Sequence, residues 1–384
     1  MSHPHLRRPV RTRCAVVALS IAALVTAACG SPMADPAGGA AADPCAGSAA
    51  LNLVERTANM PVAERQSLLE GEAVAAAGGS IDLYTELNDP QPIVDAFQKK
   101  YPDLTVNVYR AGSEQIRQRV LEESAANFSG ADVVEMDSLE MAILDENKLL
   151  APASSPMIGE VSEAARFPRY TGDRLSYIVP LWNTNLLAPG DVPKSLEDLA
   201  DPRFKGKLAL ESSDVFWFAG LVKYMEREQG KTKDEAVDVF RKIAANASIT
   251  SGHTTTTELV VAGQYAIAAN NFIHRALELQ GKGAPLGWAP VQVPVVAEIT
   301  AVSLPCLSNN PAGALLLQDF LLSADGAQPI FVQEGRTPSN SALAQQTLGG
   351  QKIEPVKVDV AEVAAEYKDW AALWDEVIRG GTQG

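Results

Sequence analysis

The stretch IDLYTELNDPQPIVDAFQKKYPDLTVNVYRAGSEQIRQRVLEESAANFSGADVV, Ile81 to Val134, decides the reading of the fold. Ile81-Asp82-Leu83-Tyr84 is β-rich, and apolar residues then recur at Ile93, Val94, Phe97 and Tyr101, the spacing of one helix face. Pro102-Asp103 ends that helix, and Leu104 to Tyr109 returns to strand character. Gly112-Ser113-Glu114 opens a second helix through Ile116, Val120 and Leu121, with Ser113 as a natural N-cap. Ala131-Asp132-Val133-Val134 is a third strand. Strands alternating with helices predict right-handed crossovers and a mostly parallel α/β sheet. Ligands of such sheets sit beyond the carboxyl ends of the strands.

Outward from this unit the pattern continues. Ala151-Pro152-Ala153-Ser154-Ser155-Pro156 is a loop, and Leu175 to Pro180 is a strand suited to cross into a second lobe. Val192 to Leu210 is dense in turn residues, and Lys233 to Ala245 and Thr257 to Ala262 read as helices. Tyr265 to Ala269 reads as a buried strand, and Ala301 to Leu304 as a strand returning to the first lobe. Pro311 to Leu322 and Val360 to Val377 close the chain as helices.

The N-terminus reads as an address. Arg7, Arg8, Arg11 and Arg13 precede an apolar run from Ala15 to Ala28, a signal-peptide pattern over 1–28. Val25-Thr26-Ala27-Ala28-Cys29-Gly30 resembles a bacterial lipobox, although Thr26 stands where an aliphatic residue is usual. Cys29 is therefore the expected lipidation site, and 29–50, rich in Ala, Gly, Pro and Asp, a flexible tether. The chain is expected outside the cytoplasm, lipid-anchored to the bacterial cell membrane. Cysteines there tend to be oxidised, so a Cys45–Cys306 disulfide is expected.

Composition excludes several functions. The 384 residues hold 32 Lys plus Arg against 47 Asp plus Glu, a net charge of −15 that argues against a nucleic-acid partner. No apolar run reaches the length of a membrane span. Four cysteines without a CxxC pair do not make a disulfide scaffold or a zinc ribbon. GxSxG and HExxH are absent, and Gly230-Lys231-Thr232 lacks the P-loop glycine, with Met225 in its place. Only His253 and His274 lie beyond the signal segment, so no metal site and no cofactor are assigned.

Polar residues recur where strands should end: Thr85-Glu86, Gly112-Ser113, Asp137-Ser138, Trp182-Asn183-Thr184, Asn270-Asn271, and His253 to Thr257 ahead of a helix. Gly112-Ser113 and Thr254 to Thr257 sit at helix N-termini, where free N–H groups favour anions. That points to an anionic or polyhydroxylated ligand.

Pro193-Lys194-Ser195-Leu196-Glu197-Asp198-Leu199-Ala200-Asp201-Pro202-Arg203-Phe204-Lys205-Gly206-Lys207-Leu208 resembles the signature of substrate-binding proteins of ABC importers, in their ferric-iron and sugar-phosphate branch. Leu83-Tyr84-Thr85, Ala131-Asp132-Val133-Val134, Trp182-Asn183-Thr184 and Asn270-Asn271 match further landmarks in order. The resemblance implies the two-lobed type 2 periplasmic-binding-protein fold, α/β, with two mixed sheets flanked by helices and a two-strand hinge. The lobes would be 51–180 plus 297–384 and 181–296. It also implies a monomer that does no chemistry, closes on a small solute and docks on an ABC permease. Thr85, Glu86, Gly112, Ser113, Asp137 and Ser138 of the first lobe would grip the solute, with Trp182, Asn183, His253, Thr254, Asn270, Asn271 and His274 of the second. Ferric members carry adjacent tyrosines after the Asn-Asn pair. Here Phe272 and Ile273 stand there, Asp137 replaces a glutamate, and Asn88 lies near a usual histidine position. An organic solute, phosphorylated or carboxylated, is the expectation, with Arg275 as a fork for its acid group. A secreted hydrolase using Asp137 and Glu86, or a lipoprotein contacting a protein partner, are the rival readings.

Overall fold

The computed structural model describes residues 43–381 apart from 345, 349, 350 and 352; the signal segment and Cys29 lie outside them. Its strands are β1 (Ser80–Thr85), β2 (Thr105–Arg110), β3 (Val133–Asp137), β4 (Thr171–Asn183), β5 (Leu208–Glu211), β6 (Ala247–Thr250), β7 (Ile267–Phe272), β8 (Leu286–Gly287), β9 (Val296–Ser303) and β10 (Thr337–Pro338). The helices run α1 (Ala49–Thr57), α2 (Val62–Ala75), α3 (Gln91–Lys100), α4 (Ser113–Ala125), α5 (Ser138–Glu146), α6 (Val215–Gln229) and α7 (Lys233–Asn246). They continue with α8 (His253–Val261), α9 (Ile273–Gly281), α10 (Pro311–Leu322), α11 (Gln328–Gln333), α12 (Ser341–Ala344), α13 (Val360–Ala365) and α14 (Tyr367–Gly381).

The three strands read from the opening stretch form as expected, β1 pairing in parallel with both β2 and β3. A second parallel set, β5 with β6 and β7, carries the other half. The two sets are not separate sheets. Hydrogen bonding runs without a break in the order β2-β1-β3-β9-β4-β7-β5-β6. The cause is the length of β4: its first eight residues pair antiparallel with β9, and Ile178 to Trp182 pair antiparallel with β7. The strands β4 and β9 are thus the two that pass between the halves.

Burial follows the sequence pattern. Ile93, Val94 and Phe97 form the inner face of α3, which starts with Pro92 in its first turn and ends with Lys99 and Lys100 near its carbonyl end. These residues join Leu53, Leu69, Ile81, Leu316 and Phe320 in a core beneath α1, α2 and α10. Asp132 locks that core to the sheet. Its Oδ1 accepts from Ser308 Oγ and the amides of Asn309 and Asn310, each at 2.8 Å, and its Oδ2 accepts from the Asp82 amide at 2.9 Å. Four donors offset the cost of burying this carboxylate.

Two expectations change here. Residues 43–50 are not wholly a tether: a disulfide joins Cys45 to Cys306 with Cα atoms 4.9 Å apart, and Ser48 accepts from the Leu51 amide to cap α1. The C-terminal helix, read with the first lobe, packs on α6 and α7 of the other half. Its Trp374 stacks on Phe218 with ring centroids 4.9 Å apart and donates from Nε1 to the Ser212 carbonyl at 2.7 Å. Four rings of the second half's helices and α14 (Trp217, Phe218, Phe240 and Trp374) meet mostly edge to face, so burial of the indole outweighs its place in the sequence. Trp374→Ala is expected to lower the unfolding free energy by about 3–5 kcal/mol. Chemical denaturation checks this, and a loss below about 1 kcal/mol contradicts the packing described.

Candidate functional site

In the first half the site is hung from Arg174, which is buried on β4. Its guanidinium bonds Glu135 of β3 and Glu86 just past β1, and lies 3.3 Å from Asp173. Thr85 donates to Glu135 as well, and Thr300 of β9 donates to Glu86 at 3.3 Å. Ser113 accepts from the Asp137 amide at 3.1 Å, so the starts of α4 and α5 are tied together. Gly112 gives its own amide to Gln115, and Ser138 is the buried first residue of α5.

In the second half the carboxyl ends of β5, β6 and β7 converge. Glu211 ends β5 and accepts from the Ser213 amide at 2.8 Å and from the Gly252 amide at 2.9 Å. Gly252 holds φ at +88°, a conformation that L side chains rarely adopt, and this aims its amide at Glu211. Asn270 bridges three groups: its Oδ1 accepts from the Glu211 amide, and its Nδ2 donates to the Glu211 carbonyl at 3.0 Å and to Asp214 at 2.6 Å. Asn271 donates to the His253 carbonyl at 3.1 Å. His253 opens α8 rather than preceding it, and its Nε2 lies 3.0 Å from Asp214 and 3.8 Å from Glu211. Phe272 lies between the His253 and His274 rings, at centroid distances of 4.1 and 5.2 Å.

Glu298 joins the halves. It sits on β9 opposite Ser176 of β4, two residues from Thr300. Burial raises its carboxyl well above the usual range, and the charges of Asp137, Asp214, Glu86 and Glu211 raise it further. Asp137 is raised in the same way by burial, then by Glu86. Burial disfavours the His253 imidazolium, yet Asp214 and then Glu211 hold its pKa up at about 9. Burial lowers His274 well below its ordinary value, helped by Arg336, Arg174 and His253.

Not every expected residue takes part. Trp182 and Asn183 end β4, which runs antiparallel to β7, so they lie at the opposite edge of the second half. Trp182 is buried there against Gly287, whose missing Cβ makes room for the indole. Asn183 donates to the Val260 carbonyl at 2.8 Å and anchors the end of α8. Thr254 is exposed on α8, and Arg275 is engaged by Glu258 and Glu278. The sequence reading missed Arg174, Glu135, Asp173, Glu211, Asp214 and Glu298. Apart from Asp214, which precedes α6, their signal was a charged residue inside or at the end of a strand, as in Leu208-Ala209-Leu210-Glu211. A groove of about 660 Å³ along α4, lined by Tyr109, Arg117 and Arg119, lies outside this cluster.

Glu211, Asp214 and His253 each bring a ligand atom within 4.8 Å of the others, a spacing compatible with a metal ion. The donor set is already engaged: both Glu211 oxygens accept protein donors, and Asp214 is held by Asn270 and His253. The trio is built as an ion pair within a hydrogen-bonded loop junction.

Comparison with known proteins agrees with this architecture. The iron-bound HitA structure from Pseudomonas aeruginosa superposes with a TM-score of 0.66 at 21% identity, over 78% of this chain and 99% of that one. AfuA from Actinobacillus pleuropneumoniae, with fructose 6-phosphate bound, gives 0.67 at 21% identity, over 79% and 99%. Both are two-lobed periplasmic binding proteins. A Serratia marcescens Fe(3+)-binding periplasmic protein is 26% identical over 207 residues, 53% of this chain and 60% of the relative, so the match spans less than two thirds of that protein. The profile of bacterial extracellular solute-binding proteins matches residues 92–375, most of the sheet and every element of the cluster beyond Glu86. That match covers well over half of the chain, and the chain belongs to the bacterial extracellular solute-binding protein family.

Proposed function

We propose that the protein captures a small solute between its two halves and delivers it to an ABC permease, without chemistry of its own. One observation carries this reading: side chains from both halves and from the connecting strand converge at the carboxyl ends of the parallel strands. Glu86, Ser113 and Asp137 come from one side, Glu211, Asp214, His253 and Asn271 from the other, and Glu298 from β9. Such ends are where α/β sheets hold ligands. Closure about β4 and β9 would bring the two sets against the solute. The proposed hinge lies near residues 178–181 and 296–298, where β4 passes from pairing with β9 to pairing with β7. Of the expected ligand set, Thr85 and Asn270 hold neighbouring side chains, Ser138 is buried at the start of α5, and Trp182, Asn183 and Thr254 stand outside.

Anchoring through a lipid on Cys29, after removal of 1–28, is part of the same proposal and rests on the lipobox alone. A tyrosinate ferric site is not supported, because Phe272 and Ile273 offer no oxygen. The hydrolase reading finds no support either: Glu86 is tied to Arg174 and Thr300 and is not free to act beside Asp137.

Solution scattering with a small-molecule extract of bacterial culture tests capture. The radius of gyration is expected to fall on addition, and both Glu86→Gln and Asp214→Asn to weaken the response at least about tenfold, the equivalent of 1.4 kcal/mol, with Thr254→Ala unchanged. Loss from one half only would remove the two-sided grip.

A second expectation follows from the His253–Asp214 pair. The folded pKa of about 9 lies above the unfolded 6.5, so the pair's stabilisation is complete below about pH 6.5 and lost as pH rises through 9. The stability difference between the native protein and His253→Gln should be a few kcal/mol at pH 6 and near zero at pH 10. Urea titrations at the two pH values measure it, and a gap independent of pH contradicts the pairing.

A further inference from the structure

One edge of β4 changes partner part-way along. Leu175 has Ile299 of β9 on one side and Thr337 of β10 on the other. Ile178 has Val296 of β9 on one side and Phe272 of β7 on the other. The strands β7 and β10 therefore follow one another along the same edge, both antiparallel to β4. Between them, Ser176 and Tyr177 face Glu298 and Ala297 of β9 and have no strand partner on the other edge among the described residues. The interval from Leu175 to Ile178 is about 10 Å at the rise of a strand. It lies where the two halves meet, and crevices of this kind, where strands part company, are where α/β sheets take ligands.

Two side chains flank the interval. Arg336 immediately precedes β10, and His274 lies two residues beyond Phe272, in the first turn of α9. The Arg336 side chain is only 17% exposed, and its Nε donates to Glu334 at 3.2 Å. Its two Nη atoms bond nothing among the described residues, and neither do the ring nitrogens of His274, whose ring stacks on Phe272 with centroids 5.2 Å apart. Burial and then the charge of Arg174 act against the Arg336 cation, while Glu86 and Glu334 support it. After burial, Arg336 is the foremost influence keeping His274 neutral. A largely buried guanidinium beside a second one, with two nitrogens unengaged, is short of an acceptor.

Resting on the solute-capture reading, we infer that the solute carries a carboxylate, which the two Nη atoms of Arg336 hold as a fork while His274, across the interval, donates an N–H to it. The guanidinium fork matches the two oxygens of a carboxylate, and a neutral imidazole has one N–H to give. The charge balance favours a carboxylate over a phosphate. Arg336 is a single cation acting beside Glu86 and Glu334, so the second charge of a phosphate dianion would stand among acids without a partner. Arg275, the fork expected from the sequence, is taken by Glu258 and Glu278, and Arg336 stands in its place. The Phe272 ring, half-buried between its two histidines, supplies an apolar wall for the carbon body of the solute. Arg336 moves with the strand paired to the start of β4 and His274 with the helix that follows β7, so an acid group held by both draws the halves together.

Calorimetry on the intact protein with lactate, succinate and glutamate, each beside its amide, and with inorganic phosphate, fructose 6-phosphate and Zn²⁺ tests this. At least one of the carboxylates is expected to bind at one per chain, and its amide at least about tenfold more weakly. Arg336→Gln should weaken that carboxylate at least about tenfold, the loss of a charged donor pair. If that variant does not fold, Arg336→Lys, which keeps the charge and loses the fork, is read in its place with the same expectation. Binding of none of the carboxylates, equal binding of acid and amide, or full affinity in the folded variant each overturns the inference. Binding of only a phosphate or Zn²⁺, with contraction in solution scattering, would overturn it too and leave solute capture standing. Absence of contraction with every probe and with culture extract would remove both.

Discussion

A guanidinium buried on the strand that both halves share is the constraint on which the first half of the site depends. Taking Arg174 out of water is tolerable only because Glu86, Glu135 and Asp173 surround it. Those partners come from the end of β1, from β3 and from β4 itself. The pairing therefore ties β1, β3 and β4 together at one level of the sheet, close to the loop that bears Asp137. Removal of Arg174 would leave Glu135 buried without its counter-ion, a loss of about 3–5 kcal/mol. This is why the polar cluster is also structural.

The second half solves the same problem without a strong cation. Asn270, buried on β7, reads both backbone groups of Glu211 and then reaches Asp214. One amide side chain thereby sets the height of two acidic residues, while Asn271 does the same for the start of α8 through the His253 carbonyl. Behind them, Trp374 of the last helix holds the Ser212 carbonyl. The acidic loop is gripped from the sheet on one side and from the C-terminal helix on the other.

Much of this was legible in the sequence, and the rest failed for identifiable reasons. Period-2 and period-3.6 patterns gave β1, β2, β3 and their helices because each is a local property of the chain. The structure puts Glu86, Ser113 and Asp137 at or just past the ends of β1, β2 and β3, and Asn271 and His253 near the end of β7, all on one side of the sheet, since parallel strands put their carboxyl ends together. Trp182 and Asn183 did not belong, because a strand's direction within its sheet depends on pairing that no local pattern records. Glu211 and Glu298 were invisible as neighbours: 87 positions separate them in sequence, and only the chain of pairs from β5 through β7 and β4 to β9 brings them together.

The covalent link from Cys45 to Cys306 has a mechanical consequence. It moors the beginning of the described chain beside the end of β9, on the half built from β1, β2 and β3. Tension arriving along the backbone from upstream is borne by that half through a covalent bond and bypasses α1. The half that carries Asp214 and His253 takes no part in that covalent link.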